Sequence, residues 1–163
     1  MLTKKSRLFL GLTVATPLLF AACTDNGIFN PMSDAAGTYQ LTIYAGSSVP
    51  FFFTVQPGDV DFPNGARFDV SGGTLVLNSN GSFVETDNIL ITPQGQAAFP
   101  NDFISSGTWT LNGTALTLSA PAQNNNNARF VTGTLDTNVN NSLRINYQEA
   151  NGSGGFDSFE YVR

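Results

Sequence analysis

The stretch that most restricts this chain is Gly107 to Leu118, GTWTLNGTALTL, in which strand pattern, turn and second strand pattern follow one another without a break. Asn112-Gly113 is a strong hairpin signal, because a type I′ turn holds both central residues at positive φ and Asn and Gly tolerate that best. A two-residue loop there pairs Leu111 with Thr114, Thr110 with Ala115, Trp109 with Leu116 and Thr108 with Thr117. Alternation then puts Trp109, Leu111, Leu116 and Leu118 on one face, and Thr108, Thr110, Ala115 and Thr117 on the other. The hairpin belongs to a sheet with a buried side and a wet side.

The rest of the chain from Gly37 repeats this grammar. No window carries apolar residues at i, i+3, i+4 and i+7, whereas short alternating runs bounded by Gly, Asn and Pro recur. Strands are expected at Thr38–Tyr44, Pro50–Gln56, Ala66–Asn78, Ser82–Thr92, Phe103–Leu111, Thr114–Ala120, Ala128–Asp136, Ser142–Gln148 and Phe156–Val162. Nine such runs make the class all-β, a barrel or a sandwich. Gly37-Thr38, Gly73-Thr74, Gly107-Thr108 and Gly133-Thr134 recur at unequal spacing, which excludes a propeller or solenoid. They read as strand entries, with Gly bending the backbone or admitting a close neighbour and Thr suiting a strand face.

The N-terminal region is an address rather than a fold. Lys4, Lys5 and Arg7 precede an apolar core from Leu8 to Phe20, too short to span a membrane as a stable helix, and Ala21-Ala22 supply the small residues of a cleavage site. Cys23, the sole cysteine, follows at once. Leu19-Phe20-Ala21-Ala22-Cys23 resembles the lipobox of bacterial lipoproteins, which implies removal of residues 1–22 and lipid attachment at Cys23. Thr24, rather than Asp, follows the cysteine; the resemblance then implies no retention at the inner membrane, so the outer membrane is the destination in a Gram-negative envelope. Residues 23–36 read as a lipidated polar tether and residues 37–163 as one domain. After cleavage the chain holds four Arg, no Lys and twelve acids, a net side-chain charge of −8, which argues against nucleic acid as a partner. Without a second cysteine no intrachain disulfide can staple the domain, so it stands on its hydrophobic core.

Gly37-Thr38-Tyr39 at the first strand, Leu75 to Phe83 (LVLNSNGSF) at a central hairpin, Gly107-Thr108-Trp109, and Tyr147 and Tyr161 near the end are similar to motifs of bacterial lipocalin-like lipoproteins. The resemblance covers Gly37 to Arg163 and implies an antiparallel up-and-down barrel of eight or nine strands; a β-sandwich or jelly roll is the alternative. Against the eight strands usual in that family, either Pro50–Gln56 is a loop or edge segment, or the last strand is extra.

Alternation assigns Tyr39, Leu41, Ile43, Leu75, Leu77, Phe103, Trp109, Leu111, Leu116, Leu118, Leu143, Ile145, Tyr147, Phe159 and Tyr161 to the interior. With Phe83 and Glu85 added, the barrel-lining candidates for a ligand are Tyr39, Leu41, Phe83, Glu85, Trp109, Leu116, Tyr147 and Tyr161. Glu85 and Asp87 share a face with Phe83, so they aim inward unless the strand bulges. A bulge near Thr86 that turns them out is the favoured reading, and a wet barrel mouth the other. Pro50-Phe51-Phe52-Phe53 reads as a strand buried on both faces, with an exposed apolar edge as its alternative.

Several chemistries fall away. The chain has no His, which removes Ser-His-Asp and Cys-His nucleophiles and imidazole-held metals, and without Lys after cleavage no Schiff base can form. Asp59-Val60-Asp61 with Asn64 fails the EF-hand spacing, since Pro63 stands where an oxygen ligand is needed. The Asn-Gly-Ser/Thr triplets at Asn80, Asn112 and Asn151 are turns rather than glycan acceptors. The sequence therefore reads as a non-enzyme without cofactor or metal, anchored by lipid in the cell envelope. Its two functional readings are a barrel binding a small apolar or amphipathic ligand and a filled barrel that contacts envelope proteins.

Overall fold

A computed structural model describes residues 31–122, 128–139, 142–150 and 156–163, so the leader, Cys23, the first part of the tether and the side chain of Leu143 lie outside the described residues. Within them the chain forms a short helix, α1 (Pro31–Ala35), and eleven strands. These are β1 (Gly37–Tyr44), β2 (Ser47–Ser48), β3 (Phe51–Val55), β4 (Ala66–Leu77), β5 (Ser82–Pro93), β6 (Phe99–Pro100), β7 (Phe103–Asn112), β8 (Ala115–Ala120), β9 (Arg129–Val139), β10 (Ser142–Ala150) and β11 (Phe156–Val162).

Eight of them, β1, β4, β5, β7, β8, β9, β10 and β11, pair antiparallel each with the next in chain order, and β11 returns to β1. This is a closed up-and-down barrel, and the sandwich alternative is excluded. All nine expected strands are present, and the surplus one is β3, which pairs with β4 outside the closed ring. The reason lies in β1. Its first half, Gly37 to Gln40, pairs with Leu77 to Thr74 of β4, after which β1 diverges to pair with β2 while β4 continues upward between β3 and β5. The upper parts of β3, β4 and β5, with β6 at the far side, thus form a flap that rises beyond the barrel rim.

The hairpin of β7 and β8 keeps its expected faces but not its register. Leu111 pairs with Leu116, Trp109 with Leu118 and Asn112 with Ala115, so Gly113-Thr114 is the loop. Gly113 holds φ at +61° in the first central position and Thr114 is not at positive φ, the pattern of a type II′ turn, which asks for Gly there and needs no positive φ from Asn112. A shift of two residues preserves alternation. Trp109, Leu116 and Leu118 are all buried.

Three of the four Gly-Thr pairs also need correction, because Gly73, Gly107 and Gly133 lie inside strands rather than at their entries. Their glycines serve close approach. A Cβ on Gly107 would overlap the carbonyl oxygen of Ser119 and sit 2.8 Å from the Cα of Ala120; on Gly133 it would overlap the carbonyl of Asn146 and sit 2.7 Å from the Cβ of Tyr147. These are the places where a small barrel bends its strands.

One end of the barrel is capped. Pro31 opens α1, where its missing N–H costs nothing, and Ala35 at the other end is fully buried. Part of the expected tether is thus a helix packed on the domain. The Tyr39 hydroxyl donates to the Ala35 carbonyl at 2.5 Å, and Arg163 donates to the carbonyls of Asp34 at 2.7 Å and of Ala36. Trp109 closes the same end, its indole N–H donating to the Asn78 carbonyl at 2.9 Å. Above this floor Leu75, Leu77, Phe83, Leu116, Leu118, Leu135 and Ile145 are all within a few per cent of complete burial. Each such side chain contributes roughly 1.5–3 kcal/mol.

Candidate functional site

Alternation along four strands carries ionisable groups into the middle of the barrel. From Ser82 to Asp87, β5 keeps an unbroken register with both β4 and β7, so Phe83, Glu85 and Asp87 all point inward. The expected bulge near Thr86 is absent. Register shifts occur instead between Leu41 and Ile43 of β1 and between Val70 and Gly72 of β4. The first of these turns Ile43 out of the interior and brings Tyr44 to pack against the core in its place. Nor are the acids at a wet mouth: Glu85 is 0% and Asp87 2% exposed.

Two inward acids survive there because the opposite wall supplies their partners. On β9, Arg129 has the parity of buried Val131 and Leu135; on β10, Glu149 has that of Ile145 and Tyr147. The Arg129 guanidinium contacts Glu85 Oε2, holds Glu149 through Nε at 2.9 Å and Nη2 at 2.8 Å, and donates to the Tyr147 hydroxyl at 2.8 Å. Glu85 Oε1 accepts from the hydroxyls of Tyr147 and, at 2.7 Å, Tyr161. The Tyr161 oxygen also lies 2.9 Å from Asp87 Oδ1. The single Tyr161 hydroxyl proton is thus shared between Glu85 Oε1 and Asp87 Oδ1.

Burial, reinforced by the charge of Glu85, pushes Asp87 up to about 7 from its ordinary 3.8, against the opposing pull of the Tyr161 hydrogen bond and Arg129. Burial and then Glu85 hold Tyr147 and Tyr161 well above the ordinary phenol value. Burial pulls the Arg129 pKa down, but the charge of Glu85 and the bonds to Glu149 and Glu85 carry it above its usual value. The result is a pair of neutral phenols and a carboxyl raised to about 7 around an Arg129 shared by Glu85 and Glu149. It is a plug, with no nucleophile left unengaged.

Aromatic rings run from the flap into this plug. Phe62 meets Phe68 at 5.4 Å, Phe68 stacks on Phe53 at 4.8 Å, and the series continues through Phe51, Tyr44, Phe159 and Tyr147 to Tyr161, with centroid separations of 4.9–6.1 Å. At its outer end the rings are wet. Phe52 is 56% and Phe53 39% exposed, which corrects the expectation of a strand buried on both faces in favour of the exposed apolar edge.

All eight barrel-lining candidates, Tyr39, Leu41, Phe83, Glu85, Trp109, Leu116, Tyr147 and Tyr161, are buried in the interior. Glu85, Tyr147 and Tyr161 are in mutual contact, whereas Tyr39 and Trp109 belong to the capped end. Arg129 and Glu149 complete the site without having been candidates, though the parity of Val131 and Tyr147 identifies both. Two open grooves, of about 770 and 530 Å³, have Gly107 and Gly133 in their walls, together with Phe83 and Arg129 in the first and Tyr147 and Phe159 in the second. No protein-family model matches the chain, and no curated protein matches it.

Proposed function

We propose that this chain is a lipid-anchored, non-catalytic barrel of the cell envelope that works through its outer surface, as an interaction module, rather than by carrying a ligand in its lumen. One observation carries the reading. The interior is occupied by its own side chains, from the Trp109 and Leu116 layer to the Glu85, Arg129, Tyr147 and Tyr161 plug, whose polar groups are each satisfied by another. Exposed aromatic rings are elsewhere, at Phe52, Phe53 and Phe99 on the flap and at Phe130 and Phe156 on β9 and β11. The anchor is Cys23, and α1 leads into the capped end, so the flap is at the end of the domain remote from the tether. By its Thr24 the chain travels to the outer membrane if the cell is Gram-negative.

Two experiments test this. A photoreactive phenylalanine analogue at position 52 is expected to give protein-sized adducts in cells, and the same group at position 109 none of small-molecule size. A small lipophilic adduct at position 109 would replace this reading by that of a carrier of a small apolar or amphipathic ligand. For the anchor, Cys23→Ser is expected to abolish incorporation of radioactive palmitate, and a labelled mutant would refute lipidation at that residue.

A further inference from the structure

Edge strands expose unpaired N–H and C=O groups, and proteins blunt them by shortness, Pro, charge or bulges. The flap has two lateral edges, and they differ. On one side β6 is two residues long and ends in Pro100. On the other, β3 presents Phe51 to Val55 with no bulge, no Pro and no charge, and among the described residues it pairs only with β4. The run Pro50 to Gln56 contains no ionisable residue at all. Its outward face is finished, with Arg67 held by Asp69 at 2.6 Å and lying 4.0 Å over the Phe52 ring. Its backbone edge is not.

From this we infer that the β3 edge pairs with β3 of a second copy of the chain, antiparallel about a two-fold axis at Phe53. The inference rests on the reading of the protein as a surface-acting module and names its partner. The strand is self-complementary about that residue. With Phe53 opposite itself, Phe51 of one copy meets Val55 of the other on the face that carries the ring series, and Phe52 meets Thr54 on the outer face. The partner's Phe53 extends the stack of Phe53 on Phe68, and no like charges are brought together. Any other centre leaves part of the five-residue strand unpaired. Such an axis stands perpendicular to the sheet, so the two barrels project from the joined flaps in opposite directions. Two chains tethered at their capped ends are thereby suited to joining facing surfaces.

The test is made on the full chain in its membrane. Mild oxidation is expected to link Phe53→Cys into a reducible dimer and to leave wild type and Thr54→Cys without a covalent link, while Phe52→Cys and Thr54→Cys chains with different tags link to each other. Separately, Phe53→Lys and Phe53→Glu are each expected to lose self-association by about tenfold or more, and their mixture to regain it, with Trp109 emission reporting the fold of each. Equal linking of Thr54→Cys and Phe53→Cys, or no gain on mixing the two charge variants, would overturn the pairing. So would wild type sedimenting as a monomer at every concentration reached. Adducts from position 52 with an unrelated protein, and none with the chain itself, would keep the module reading and overturn this one.

Discussion

Removing the Glu85 side chain strands the Arg129 guanidinium among apolar walls, with Glu149 as its remaining counter-charge. Glu85→Ala is therefore expected to cost about 3–5 kcal/mol in chemical denaturation, as broken buried pairs do. Replacing Glu85 and Arg129 together by Leu and Met is expected to recover much of that loss, and a double-mutant cycle reads the coupling. Asp87 gives a pH test. Its carboxyl is raised to about 7, so between pH 4 and 7 the folded chain keeps a proton that the unfolded chain releases. Stability from this group is full below pH 4 and is lost as pH rises through 7. Asp87→Asn is thus expected to melt higher than wild type at pH 8 by on the order of a few kcal/mol, with the gap closing towards pH 4; a constant gap would refute it. Parity pointed Glu85 and Asp87 inward, but a bulge near Thr86 that turned them out was the favoured reading, and the unbroken register of β5 overturns it. What the sequence concealed was their compensation, because Arg129 is 44 residues away and reaches them only across a closed barrel.

At the scale of strands, curvature is concentrated where side chains are missing. Gly107→Ala and Gly133→Ala are each expected to destabilise the domain by roughly 1–3 kcal/mol or more, since the clash is with backbone across the ladder and cannot be relieved by a rotamer change. Thermal melts check both, and an unchanged melting temperature would show that the strands relax freely. Strand number and faces were legible because period-two alternation survives any even shift of register, which is why the hairpin kept Trp109, Leu116 and Leu118 inside while its turn moved to Gly113-Thr114. The bulge at the Leu41–Ile43 step was not legible, because nothing local distinguishes Ile43 from Tyr44 as a core residue. Helix α1 escaped notice for a related reason: five residues carry no period, and its place depends on Tyr39 and Arg163.

For the whole molecule, closure and filling replace disulfides as the source of rigidity. All four arginines of the described residues are engaged within the domain, Arg67 with Asp69, Arg129 in the plug, Arg144 beside Glu160 and Arg163 on the capping helix. The acids outnumber these arginines and leave the domain negative, while exposed apolar side chains occur on the flap at Phe52, Phe53 and Phe99 and away from it at Ile104, Phe130 and Phe156. Among the described residues the lumen is filled by side chains from the Trp109 and Leu116 layer to the Glu85 plug, and on the proposed reading it carries no passenger. Native mass spectrometry of the chain, extracted from its own cells in mild detergent, tests this most directly. Masses equal to one or two chains, with the acyl groups that the proposed anchor would add, are expected, with nothing further bound. A stoichiometric small molecule that survives detergent exchange and departs only when the barrel unfolds would contradict the account.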